Sequence, residues 1–158
     1  LAGNPTIYRQ ISDKMGELTA SYFQNPFHLT AQCSVDFQPL SRTVGQRSAA
    51  SGGNAMGLTD QDTDRLILEL QCAWGSSSDD EVLMGISRDL TTWLETQVPQ
   101  WLAEQGQSSG SYLPLFMNDA SADQNVTGSY RGYSKVKALQ LEYDPQGTLR
   151  TRTGGFKY

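Results

Sequence analysis

Residues 27–40 read FHLTAQCSVDFQPL. Leu29, Ala31, Cys33, Val35 and Phe37 share one parity; His28, Thr30, Gln32, Ser34, Asp36 and Gln38 share the other. Successive side chains of a strand leave opposite sides of the sheet, so this period of two predicts a β-strand with two unlike faces. The apolar face is expected to pack on helices. The polar face carries donors, acceptors and the imidazole of His28, and it has two readings: the floor of a small-molecule site, or a solvated surface. Pro39 has no N–H for a ladder and is expected to end the pairing.

A second run of the same kind covers residues 64–74, DRLILELQCAW. Leu66, Leu68, Leu70, Cys72 and Trp74 fall on one face, with Arg65, Ile67, Glu69 and Gln71 on the other. Residues 41–63 between the two runs are rich in Ser, Gly and Asn and read as a long loop. Its centre, Ser51-Gly52-Gly53-Asn54-Ala55-Met56-Gly57-Leu58, carries three glycines, which suit positive φ angles or a close backbone approach. Loops of this length in a compact chain are often functional.

Helices flank these strands. Asn4-Pro5 suits an N-cap followed by the first helical position, and Ile7, Ile11, Met15, Leu18 and Tyr22 then recur at helical spacing up to the stop at Asn25-Pro26. After the second strand, Ser78 and Glu81 have capping-box spacing, and Val82, Ile86, Leu90, Trp93 and Leu94 line a further helix. Pro99 is expected to end or kink it, with Trp101-Leu102 continuing for a turn. Residues 105–111 read as a flexible polar loop and residues 112–118 as a short strand. A last helix over residues 133–142 turns Val136, Leu139 and Tyr143 inward, and Asp144-Pro145-Gln146-Gly147 is a turn. Strands and helices in this order predict one α+β domain over residues 1–158. It is expected to be an antiparallel sheet with helices on one face and a polar face turned to a ligand or partner.

The chain's 158 residues suffice for a real core, and 37% hydrophobic with 18% charged residues is ordinary globular composition. A net charge of −5 with no basic cluster argues against nucleic-acid binding, and no run approaches a membrane span. Lacking an initiator Met and a signal-peptide pattern, the chain reads as a mature or trimmed product. Cys33 and Cys72 both lie on apolar strand faces. Buried free thiols are the favoured reading, with a disulfide between neighbouring strands as the alternative. Two Cys and one His without metal-type spacing predict no metal site. Asn125-Val126-Thr127 is a glycosylation sequon, relevant only for a secreted chain; the compartment itself is not legible.

Several stretches occur together in one order: Gly52-Gly53-Asn54-Ala55-Met56-Gly57-Leu58, then Leu115-Phe116-Met117-Asn118-Asp119-Ala120 with Asp123-Gln124, then Tyr143-Asp144-Pro145, and finally Gly154-Gly155-Phe156-Lys157. From about residue 27 onward this order resembles the C-terminal, substrate-domain half of fungal FAD-linked oxidases of the berberine bridge enzyme-like class. The resemblance implies an antiparallel sheet covering the reactive flavin ring, with helices behind it. It also implies that the flavin is held mainly by an N-terminal domain to which nothing here corresponds. Asn118 matches an Asn that lies beside the flavin in such enzymes. Phe116 stands where many have a Tyr near the reacting centre, and Asp119 replaces a second Tyr. Arg131 follows Tyr130 where a Gly is usual, and Leu149 stands in place of a Phe. Gln38 lies on the strand whose polar face meets substrate.

Three functions follow. The leading expectation is a cofactor-free cyclase or isomerase of natural-product metabolism, with His28, Gln38 and Asn54 as the acting groups. Gln32, Trp74, Tyr112 and Phe116 would hold the substrate; a shaped pocket with a few fixed donors can supply much of such a rate acceleration. The alternative is the substrate-domain part of an FAD-dependent oxidoreductase, with Asn118 meeting FAD supplied by another segment or chain. The third is a non-catalytic binding or dimerisation module. A small-molecule substrate and a homodimer or flavin-domain partner are expected; FAD is not expected on the isolated chain. Plainer roles stand beside these: His28 as a surface residue, Asp36 solvated or paired with an Arg such as Arg65, Asn54 and Asp119 as turn formers, and Trp93 and Trp101 as core.

Overall fold

The computed structural model describes residues 3–28, 31–107 and 111–158. Leu29 and Thr30 of the expected first strand, and residues 108–110 of the expected polar loop, lie outside them. The protein is α+β: the described residues form two antiparallel strands and five α-helices. It divides into two compact units, one of residues 1–38 and 68–111 and the other of residues 39–67 and 112–158.

The first unit holds the main apolar core. Helix α1 spans Pro5–Phe23, begun by Asn4, whose side chain accepts from the Thr6 N–H at 3.0 Å. Its buried stripe is Ile7, Ile11, Met15, Thr19 and Tyr22. Thr19 takes the place expected of Leu18, which is half-buried at the core's edge. The Thr19 hydroxyl donates to the Met15 carbonyl at 2.8 Å, so the threonine is buried without an unpaired polar group. A 3₁₀ turn, Pro26–His28, follows the helix.

Strand β1 is Gln32–Leu40 and β2 is Arg65–Ala73. The alternation in β1 is as the sequence predicts: Cys33, Val35 and Phe37 are half-buried, and Gln32, Ser34, Asp36 and Gln38 are exposed. Two expectations are corrected. Phe27 and His28 belong to the 3₁₀ turn and not to the strand, which spans Gln32–Leu40; the His28 N–H donates to the Asn25 carbonyl at 3.1 Å. The strand also runs through Pro39 to Leu40; in a two-stranded sheet each strand keeps an unpaired side, which tolerates a proline. Asp36 is exposed, as in its solvated reading, and accepts from Ser34 at 3.3 Å; Arg65 pairs with Asp62 instead.

The cysteines are joined. Cys33 and Cys72 form a disulfide with their Cα atoms 4.1 Å apart, which overturns the reading of free thiols. The two strands place them opposite one another, where antiparallel neighbours approach to about 4.5 Å between Cα atoms. Leu68, Leu70 and Cys72 of β2 pack with Cys33, Val35 and Phe37 against the core. The edge of Phe37 meets Tyr8 at 4.7 Å between ring centroids.

Helix α3, Asp80–Glu104, completes this core with Leu83, Ile86, Leu90, Leu94 and Trp101. Leu90 is fully buried, a contribution of about 1.5–3 kcal/mol relative to an exposed side chain. The stripe runs through Leu83 and not Val82, which is 52% exposed. The expected capping box does not form: Ser76 caps a 3₁₀ turn, Ser77–Asp79, and the Ser78 hydroxyl donates to Asp79. Pro99 lies inside the helix without ending it.

The second unit is less regular. Residues 42–50, expected to be loop, form helix α2, Arg42–Ala50, begun by Ser41. Val44 is its only large apolar residue, so no helical stripe marked it. Its buried Gly45 explains its placement: a Cβ there would lie 2.2 Å from the Thr59 carbonyl oxygen. Residues 112–118 are not a strand. Pro114 has no N–H to pair, and the Leu115 N–H donates to the Ser129 hydroxyl at 3.0 Å; the segment ends in a 3₁₀ turn, Met117–Asp119. Helix α4, Tyr133–Tyr143, forms where expected, but Leu139 and Tyr143 are exposed. A further short helix, α5 (Thr148–Arg152), follows the 144–147 turn. The buried Asp144 carboxylate starts it, accepting from the Thr148 and Leu149 N–H groups at 2.7 Å each.

Candidate functional site

The second unit contains a cavity of about 370 Å³. This lies at the lower end of the roughly 300–1,000 Å³ common for small-molecule sites. Helix α2 supplies Val44 and Ser48 to its wall. The glycine loop supplies Asn54, Ala55, Met56 and Leu58, and the segment after Tyr112 supplies Phe116, Met117 and Asn118. Tyr130 and the terminal Tyr158 complete it. The lining contains no Lys or Arg. It is an open, largely apolar cleft with a few hydroxyl and amide groups.

Local chemistry explains how these residues meet. The Asn54 side chain closes its own loop: Nδ2 donates to the Ser48 hydroxyl at 2.5 Å and the Leu58 carbonyl at 3.1 Å, and Oδ1 accepts from the Leu58 N–H at 3.2 Å. Both amide hydrogens are thereby engaged, so Asn54 shapes the wall and has no free donor for a ligand. Gly57 has φ of 73°, and a Cβ there would lie 2.7 Å from the Arg131 Cβ, so glycine is needed for both backbone and space.

Beneath the loop, Asp62 is buried and joins three segments. It accepts from the Thr59 N–H at 2.6 Å, from Arg65 at 2.6 Å and from Arg131 at 2.9 Å. Burial alone would raise its pKa. The Arg131, Thr59 and Arg65 donors outweigh that and hold the carboxyl well below the usual carboxylate range. Arg131 also donates to the Gly57 carbonyl at 3.1 Å and lies 3.7 Å above the Tyr112 ring. The Tyr112 hydroxyl donates to the Met56 carbonyl and accepts from the Arg131 N–H at 3.0 Å. Tyr112, expected to hold substrate, thus supports the loop from behind.

The phenol of Tyr130 is pushed up in pKa by burial and by Tyr158, with a backbone hydrogen bond from Met117 acting the other way. Tyr130 lines the cavity and is un-ionised at neutral pH. Asn118 sits on the 3₁₀ turn with an exposed side chain that makes no hydrogen bond to any described residue. It is the polar group in the lining best placed to meet a ligand.

The remaining expected site residues belong to the first unit. The His28 ring stacks on Tyr22 with centroids 3.9 Å apart, and its Nδ1 lies 2.7 Å from the Tyr22 carbonyl oxygen. Trp74 donates from Nε1 to Asp80 at 2.6 Å. Gln32 and Gln38 lie on the exposed face of β1. The cavity therefore brings together Asn54, Phe116 and Asn118, whereas His28, Gln32, Gln38 and Trp74 are elsewhere. The Asp62–Arg65–Arg131 cluster had only the Asp62/Arg65 spacing to announce it. The cavity roles of Tyr130 and Tyr158 had no sequence signal beyond their being aromatic.

Among the described residues no group of three or more His, Cys, Asp and Glu is arranged to hold a metal ion, and no helix is long and apolar enough to cross a membrane.

Comparison with known proteins gives related sequences of one kind. The chain is 29% identical over 154 residues to an uncharacterized FAD-linked oxidoreductase of Arthroderma benhamiae, covering 96% of this chain and 30% of that protein. It is 28% identical to an FAD-dependent monooxygenase of Arthrobotrys oligospora, over 80% of this chain and 24% of the relative. The FAD-dependent monooxygenase drtC of Aspergillus calidoustus is 29% identical over 77% of this chain and 22% of its own length. The chain thus matches part of fungal FAD-linked oxidoreductases and monooxygenases, and spans less than a third of these relatives. No protein-family profile matches it, and no solved structure matches it significantly.

Proposed function

We propose that this chain forms the substrate-side part of an FAD-dependent oxidoreductase acting on a small molecule, of the berberine bridge enzyme-like kind. The bulk of the flavin would be held by polypeptide outside these residues. The observation that carries this reading is the extent of the match: nearly the whole chain aligns with a fraction of an FAD-linked oxidoreductase. The relatives favour it over a cofactor-free cyclase or isomerase and over a non-catalytic module.

The cavity suits only one end of such a cofactor. Its walls of Met56, Phe116 and Met117 can pack against a flat ring, and Asn118 can offer an amide to a ring edge. Its lining has no cation for a diphosphate, and dinucleotide sites characteristically place that group at a glycine-rich helix start. When bound, FAD would accept the electrons removed from the substrate. The chain's own part is binding and orientation. Met56 and Phe116 exclude water, Asn118 fixes one polar atom of the ligand, and the neutral Tyr130 hydroxyl supplies a hydrogen-bonding group inside the wall. With Phe116 where a phenol is common in similar enzymes, a base at that position is lacking. The phenols in the cavity lining are Tyr130 and Tyr158.

Two variants test the placement in the assembled flavoprotein. Asn118→Ala is expected to lower substrate turnover or ligand affinity about tenfold, the loss of one good hydrogen bond, with unchanged unfolding. Gln38→Ala, on the exposed face of β1, tests whether that face also meets ligand. Full activity in both would remove the site from the cavity and from the sheet face alike.

A further inference from the structure

We propose that Asn125 carries an N-linked glycan and that this chain matures in an oxidising, secretory compartment. Two independent features lead there. The first is the sequon Asn125-Val126-Thr127 and its geometry. Asn125 is exposed at the start of a short turn, and its Oδ1 accepts from the Gly128 N–H at 3.2 Å. That bond fixes the amide, while Nδ2, the atom that carries a glycan, makes no hydrogen bond to any described residue. The second is the Cys33–Cys72 disulfide, with no free cysteine in the chain. Structural disulfides persist in secreted and luminal proteins and are rare where glutathione keeps thiols reduced. The compartment that permits the disulfide is also where sequons are used.

The modification is a group transfer from a lipid diphosphate-linked oligosaccharide. A bond forms between Nδ2 of Asn125 and C1 of the first sugar, the bond from C1 to the diphosphate oxygen breaks, Nδ2 loses one proton, and the lipid diphosphate leaves. Transfer precedes completion of the fold, because the Thr127 hydroxyl is later buried as a donor to the Lys157 carbonyl. Thr127 therefore has a structural role as well, and the test separates the two.

The experiment is glycopeptide mass spectrometry of the native protein from its source, with and without an amide-cleaving glycosidase. The peptide containing Asn125 is expected to carry a hexosamine-based glycan that the enzyme removes, leaving Asp at 125. Expression of Asn125→Asp in the same host is expected to give a folded, disulfide-bonded protein without the mass increment, since Asp keeps the acceptor for Gly128. Thr127→Ser, which keeps the hydroxyl and the sequon, is expected to retain the glycan. An unmodified Asn125 in native protein whose Cys33 and Cys72 are paired would overturn the proposal. So would a mass increment that persists in Asn125→Asp.

Discussion

Asp62 joins three segments of the second unit. One carboxylate is shared by two guanidinium groups and the backbone of the glycine loop's final turn. Asp62→Asn leaves Arg65 and Arg131 without their counter-charge and should destabilise the protein by about 2–3 kcal/mol, read by urea unfolding. Asp36→Asn, on the exposed face of β1, should change stability by less than about 0.5 kcal/mol. The pH dependence has a definite sign. Because the folded carboxyl titrates below its unfolded value, its contribution is complete above about pH 4 and fades as pH falls towards the folded pKa. The gap between wild type and Asp62→Asn should therefore narrow on acidification; a gap that widens would contradict the ion-pair account. None of this was legible in the sequence beyond a pair three residues apart, because Arg131 is 69 positions from Asp62. Asn118, by contrast, was singled out by resemblance, and the fold gives it a place on the cavity wall.

The elements are held by contributions of different kinds. The two strands were legible because alternation is a local signal, and α1 because a cap, a proline and a 3.6-residue stripe coincide in one segment. Helix α2 was not, because its stability comes from Gly45 seated against Thr59 and from the Asp64 carboxylate on the Arg42 N–H, neither of which leaves a periodic trace. Residues 112–118 failed the other way: β-like composition yielded to Pro114 and to a hydroxyl that takes a backbone donor. In α3, Leu90→Ala should cost about 2–5 kcal/mol by urea unfolding, against well under about 1 kcal/mol for Val82→Ala, which would confirm that the stripe runs through Leu83 and Leu90. The strand pair is tied by a disulfide across a sequence separation of 39. Its reduction should lower stability by roughly 4 kcal/mol in the loop-entropy account. Quantitative thiol reagent on the unfolded, unreduced protein should find no reactive cysteine; two reactive thiols would restore the free-cysteine reading.

At the scale of the whole molecule, the chain has two compact units, and the residues that its sequence nominated for one site are divided between them. The polar strand face and the glycine loop each looked like part of a binding floor, and only long-range placement distinguishes a cavity wall from an exposed surface. The relatives are longer and named for FAD, while the cavity here has a largely apolar lining that contains no Lys or Arg. The central claim is therefore that flavin chemistry is completed by polypeptide beyond these residues. The most direct measurement is the visible absorption spectrum, with intact mass, of the native protein purified from its source. The account predicts a flavin spectrum on an assembly or polypeptide larger than 17.4 kDa. A colourless native protein of that mass, active in cyclising a small unsaturated substrate without added flavin, would contradict it.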